Sequence, residues 1–165
     1  MIPQRCIKLL PFFEWCEATS IGAAIRNSQW LFPVIESFHL LALALIGGAV
    51  LLVDLRLLGL GLRSRSVAEL AREAEPWLTG GLSVMIASGA LLFTSESIKC
   101  YYSPAFWVKM SALLPALVFT FTLRRKVASC GEGAIRSVWR ILTAVVSLAL
   151  WTVVGTSGRW IGFSG

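Results

Sequence analysis

Apolar residues in this chain fall in four long blocks separated by short polar segments, with no strand-like alternation. The first block, Trp30 to Val53, is interrupted only by Glu36, Ser37 and His39. The second runs from Pro76 to Ser95, the third from Cys100 to Leu123 with Lys109 as its single charge, and the fourth from Ile141 to Gly158. Blocks of this length match the hydrocarbon thickness of a bilayer when wound as helices. A spanning helix satisfies its own backbone in lipid, whereas a barrel would need alternating strands. The pattern therefore predicts an all-α protein, a four-transmembrane-helix bundle forming one membrane domain over residues 1–165, with spans near 30–56, 76–95, 104–123 and 141–158.

The segment before the first span has a different pattern. Phe12, Phe13, Trp15, Ile21 and Ile25 are interleaved with Glu14, Glu17 and Arg26, which suits an amphipathic helix over about 10–27 lying along the membrane surface. The apolar stretch Ile7 to Phe13 is short, holds Pro11 and runs into Glu14, so no cleavable signal peptide is expected. Between the first two spans, Ser66-Val-Ala-Glu69 is a capping-box pattern predicting a short amphipathic helix that ends at Pro76. Between the last two, Ser129 to Gly133 reads as a turn, with Ala134 to Arg140 leading into the fourth span. Trp30, Trp107 and Trp160 fall at one membrane interface, and Trp77 and Trp139 at the other.

Composition agrees with the pattern. The chain is 56% hydrophobic and 15% charged over 165 residues, with a mean hydropathy of +0.75, too apolar for a soluble domain of this size. Its net charge of +6 is unevenly placed. Arg56, Arg63, Arg65, Arg72, Arg124, Arg125, Lys126, Arg136 and Arg140 share one side, against Arg5, Lys8, Arg26, Lys99, Lys109 and Arg159 on the other, nine against six. The positive-inside rule then puts the basic loops in the cytoplasm and both termini in the periplasm of an inner membrane. The charge reflects topology and contact with anionic lipid, with no motif for nucleic acid.

Candidate chemistry is confined to a few polar groups inside the apolar blocks. His39, the only histidine, lies about 13 Å along the first span, with Glu36 one turn shallower. Lys109, behind Tyr101, Tyr102 and Pro104, and Arg159 come from the same half of the bilayer. A deep imidazole graded to shallow cations suits haem b, with His39 as the metal ligand and Lys109 and Arg159 on the propionates. One histidine cannot supply both axial ligands, so the second would be Lys109, a tyrosine, water or His39 of another copy. The alternative is a buried polar network of Glu36, His39 and Lys109 that fixes helix register. Cys6, Cys16, Cys100 and Cys130 form neither a zinc nor a c-type haem motif. A Cys16 to Cys100 disulfide is geometrically allowed, and idle buried thiols are the other option. At the inner end of the first span, Arg56 is expected to snorkel to the surface and Asp54 to meet another arginine such as Arg140. The run Leu40 to Val53 offers no polar step for a proton path.

Trp30-Leu-Phe-Pro33 with Glu36 and His39, Asp54-Leu-Arg56-Leu-Leu-Gly59, Tyr101-Tyr-Ser-Pro104 with Lys109, and Gly158-Arg-Trp-Ile-Gly-Phe163 resemble an uncharacterised family of small bacterial four-helix membrane proteins. More distantly, a histidine in the first span and a lysine in the third resemble the copper-resistance-D-like proteins and membrane protoporphyrinogen oxidases of the HemJ type. That resemblance implies haem binding at His39 and Lys109. Three functions follow as expectations: a haem b-binding accessory protein of electron transfer, a non-catalytic structural subunit of a larger membrane complex or homo-oligomer, and a porphyrin-oxidising enzyme. Gly47, Gly48, Gly80, Gly81 and Gly89 allow the close helix approach that a subunit interface needs.

Overall fold

A computed structural model describes residues 9–61, 64–130 and 137–163. The N-terminal segment forms two short helices, α1 (Leu10–Glu17) and α2 (Ser20–Asn27), in place of the single surface helix expected over 10–27. Thr19 makes the break. Its hydroxyl donates to the Cys16 carbonyl at 2.7 Å, closing α1, and accepts from the Gly22 amide at 3.2 Å, opening α2. The spanning helices are α3 (Leu31–Leu57), α4 (Val67–Ser95), a third element built from α6 (Pro104–Phe119), a π-helical turn (Thr120–Arg124) and α7 (Arg125–Ser129), and α8 (Ser137–Phe163). A six-residue helix, α5 (Ser97–Tyr102), joins the second and third spans. All four long elements are apolar and long enough to cross a membrane.

Pro76 does not end a helix. Ser66 caps α4 by accepting from the Glu69 amide at 3.1 Å, and the helix then runs unbroken through Pro76 to Ser95. Proline removes one backbone donor, but Pro76 and Arg72, whose carbonyl loses its helical partner, are both exposed at the interface where water can take that bond, so the helix continues. The third span handles Pro115 similarly and widens five residues later into the π turn. That turn brings Thr120 and Arg124 inward, where both are buried.

Helix α3 is packed most closely against α4, and α8 against α6 and α3. The core centres on Ile46, Val50, Met85, Ala116, Trp151 and Val154. A Cβ at Gly81 would lie 3.0 Å from Ile46 Cγ1 and 3.4 Å from the Ala42 carbonyl, so this glycine sets the α3–α4 approach. The outward faces carry Leu41, Leu114, Val118 and Val138, all strongly exposed, as contact with acyl chains requires. The chain is a membrane protein.

Two polar groups differ from expectation. Asp54 meets Arg124 and not Arg140: Arg124 Nε donates to Asp54 Oδ1 at 2.7 Å and Nη2 donates to the Val50 carbonyl at 3.2 Å. The π turn aims Arg124 at the first span. Arg56 is buried rather than snorkelling, because its Nε donates to the Arg65 carbonyl at 2.9 Å and ties down the connection to α4. Trp30, Trp77, Trp139 and Trp160 are exposed at the bundle ends, but Trp107 is half-buried and donates to the Tyr101 carbonyl at 3.0 Å. The turn expected over Ser129 to Gly133 and the lead-in from Ala134 fall largely outside the described residues, as do Cys6, Arg63 and Arg136.

The N-terminal helices dock on the end of the bundle formed by α4 and α5. Arg26 donates to the Ser95 carbonyl at 3.0 Å and pairs with Glu17 at 3.3 Å, while Glu17 Oε2 accepts from the Ile98 amide at 2.6 Å. Phe13 is buried among Phe93, Tyr101, Phe106 and Trp107, with ring centroids 5.3 to 6.2 Å away.

Candidate functional site

Under that docked end lies a cavity of about 140 Å³ lined by side chains from all four spanning elements and from α5. Helix α3 contributes Glu36 and His39, α6 contributes Lys109, and α8 contributes Arg159. These four side chains, which the sequence placed in one half of the bilayer, border the same space. Tyr101 and Tyr102 do not line it. Tyr101 is buried in the aromatic cluster around Phe13, and Tyr102 stacks edge-on against it with an exposed ring.

The imidazole is held by α4. His39 Nδ1 lies 2.9 Å from Ser88 Oγ, and Ser88 donates its only hydroxyl proton to the Val84 carbonyl at 2.6 Å. We assign the ring proton to Nδ1 on this network: with Ser88 donating to the backbone of its own helix, its oxygen accepts from His39, and Nε2 keeps a lone pair. A Cβ on Gly89 would sit 3.2 Å from His39 Cε1, so the absence of a side chain there makes room for the ring. On α8, Gly158 and Gly162 form a smooth strip one turn apart. A Cβ at Gly158 would lie 3.5 Å from Lys109 Nζ, and one at Gly162 would lie 4.0 Å from Glu36 Oε1.

Sequence reading missed Ser88, the Gly158–Gly162 strip, and Glu96 and Cys100, which also line the cavity. The i,i+4 glycines near the end of the last span were the one available signal. Glu36 and Glu96 balance Lys109 and Arg159 in formal charge, and Glu96 is engaged by Lys99 at 3.5 Å.

Cys16 and Cys100 are free, buried thiols, and Cys130 is free and exposed, so no Cys16–Cys100 bridge is formed. Burial pushes the Cys100 thiol up to about 11, with Glu96 adding to the shift. The thiolate at Cys100 is therefore scarcer at neutral pH than at an ordinary cysteine, on top of the steric protection. In detergent at pH 7, maleimide should modify Cys130 within minutes and leave Cys16 and Cys100 unmodified; peptide mass mapping reads the order, and early adducts on Cys100 would contradict it.

A match over residues 12–164 connects the chain to known sequences. It belongs to the DUF6644 family, a family of unknown function. No curated protein and no solved structure matches, so the likeness to copper-resistance-D-like and HemJ-type proteins gains no support from these comparisons.

Among the described residues no group of three or more His, Cys, Asp or Glu side chains is placed to hold a metal ion. Haem b meets the site only in part. The Nε2 lone pair of His39, with Nδ1–H held by Ser88, is the arrangement of an axial ligand. The space is not: about 140 Å³ is well below the roughly 300–1,000 Å³ of pockets for drug-sized ligands, and a porphyrin is at least that large. In this conformation the cavity does not fit the macrocycle.

Proposed function

We propose that the protein is an intramembrane binding protein for a small uncharged headgroup carried on an apolar tail, of the hydroquinone or phenol class. The observation that carries this reading is the Ser88–His39 relay, which presents an acceptor nitrogen to a small, charge-balanced cavity. A phenolic hydroxyl donates to Nε2, and the Lys109 ammonium supplies donors to an oxygen of the same ring. Phe32, Phe93, Phe106, Leu40 and Ile161 complete an apolar wall for the ring and the first part of its tail.

The site opens in the half of the bundle opposite the basic loops. We place those loops on the cytoplasmic side of a bacterial inner membrane, with both termini periplasmic, as the positive-charge excess implies. In intact cells carrying Cys6→Ser, an impermeant maleimide should then leave Cys130 unlabelled until the membrane is permeabilised. A second reading, favoured by the same Nε2 lone pair, is haem b on His39, which would need the helices around the cavity to part first.

A titration of the purified protein with a short-chain hydroquinone, followed by calorimetry, separates the readings. The proposal expects saturable binding that weakens about tenfold in His39→Ala, the loss of roughly one hydrogen bond of ~1.4 kcal/mol. Ser88→Ala should weaken it less, because the ring stays but its tautomer is released. Equal affinity in wild type and His39→Ala would remove the headgroup from this site. A Soret band in protein from haem-supplied cells, absent in His39→Ala, would favour haem instead. Recovery only with larger subunits in fixed ratio, with neither ligand bound, would favour a structural subunit.

A further inference from the structure

At the other end of the bundle, α4 and the third span face each other through matching i, i+3, i+4, i+7 positions. On α4 these are Ala68, Ala71, Arg72 and Glu75; opposite them stand Phe121, Arg124, Arg125 and Ala128. Alanines at facing positions are too short to close the gap, and a cavity of about 310 Å³ remains between the helices. We infer that this cavity binds the phosphodiester headgroup of a monoanionic phospholipid, with Arg72 as its principal cation.

Charge and position both support this assignment. Arg124 is neutralised by Asp54 at 2.7 Å, and Arg125 pairs with Glu75 at 2.9 Å. Arg72 is exposed and has no ion-pair partner among the described residues, so the lining carries one uncompensated positive charge. The Arg125–Glu75 pair is itself well exposed, and such pairs are weak enough for Arg125 to turn part of its guanidinium to a phosphate. Leu78 and Phe121 give the cavity an apolar floor deeper along the spans. Trp77, next to Leu78 and exposed, marks the headgroup level on α4. A cationic rim over an apolar floor at headgroup depth matches a lipid better than a soluble anion. The volume is also of the size that takes a headgroup with its glycerol.

The full chain, delipidated in a neutral detergent, can be titrated with phosphatidylglycerol, phosphatidylcholine and inorganic phosphate and followed by native mass spectrometry. Phosphatidylglycerol should bind at least fivefold more tightly than phosphatidylcholine, and millimolar inorganic phosphate should not displace it. Arg72→Gln should weaken phosphatidylglycerol about fivefold, the typical effect of one basic side chain near the headgroups. Lys126→Gln, an equal charge change on an exposed residue outside the cavity, should change it less than twofold. Ala68→Leu narrows the mouth at an exposed position and keeps every charge, and it should weaken binding at least as much as Arg72→Gln. Equal losses in Arg72→Gln and Lys126→Gln, or full binding in Ala68→Leu, would overturn the site. Displacement by inorganic phosphate would overturn the lipid and assign the cavity to a soluble anion.

Discussion

Asp54→Ala is expected to destabilise the bundle by about 3–5 kcal/mol, the scale on which removing one partner of a buried ion pair acts. Asp54 is fully buried and Arg124 nearly so. Without the carboxylate, the guanidinium keeps only its bond to the Val50 carbonyl, with its charge uncompensated in an apolar interior. Arg124→Ala should cost a similar amount, because it leaves a buried carboxylate with the neutral Ser147 hydroxyl, and no cation, beside it. The double variant Asp54→Leu with Arg124→Met should recover most or all of the loss, since two well-packed apolar groups avoid both desolvation penalties. Reversible unfolding in mixed micelles, followed by tryptophan fluorescence, gives the three values. Additive losses in the double variant would mean that the pair is not the unit of stability.

The same pair shows how far the sequence could be read. The four spans were legible because nothing else accounts for four apolar blocks of bilayer length. An arginine partner for Asp54 was equally legible from the cost of burying a lone carboxylate. Which arginine it meets was not, because Arg124, Arg125 and Arg140 all lie at that end of the bundle and the choice depends on helix rotation. The π turn at Thr120–Arg124 sets that rotation, and its only advance sign was Pro115, five residues before. Pro76 taught the opposite lesson: a proline that reads as a helix end lies within α4, at an exposed interface position where its missing bond costs little.

The candidate cavity was legible in the same partial way. Glu36, His39, Lys109 and Arg159 stood out because an ionisable group in a membrane helix is expensive. Tyr101 and Tyr102 looked equivalent by sequence distance, but α5 re-aims them into the aromatic cluster and outward from it. The groups that shape the site most, Ser88, Gly89, Gly158 and Gly162, carry little hydropathy signal. Small residues in a membrane helix have many uses, and only the facing helices reveal which one applies.

Gly22→Val is expected to undock the N-terminal helices and to expose thiols that are closed in the wild type. A Cβ at Gly22 would collide with the backbone carbonyl oxygen of Thr94, and with the Thr94 carbonyl carbon at 3.0 Å. The obstacle is backbone, so no side-chain rotation relieves it, and α2 must move away from α4. That movement strains the Arg26 bond to the Ser95 carbonyl and the Glu17 bond to the Ile98 amide, which together hold α1 and α2 over α5. Overpacking of this kind costs typically ~1–3 kcal/mol, and here it falls on one docking surface rather than on the whole core. The local readout should therefore exceed the global one: Cys16 and Cys100, buried at this end, should become reactive to maleimide, while the unfolding midpoint falls modestly. Gly47→Ala provides the control, because nothing lies within 4 Å of a Cβ at that position. Cysteines that stay protected in Gly22→Val, with wild-type stability, would show that the α2–α4 contact is not what closes this end of the bundle.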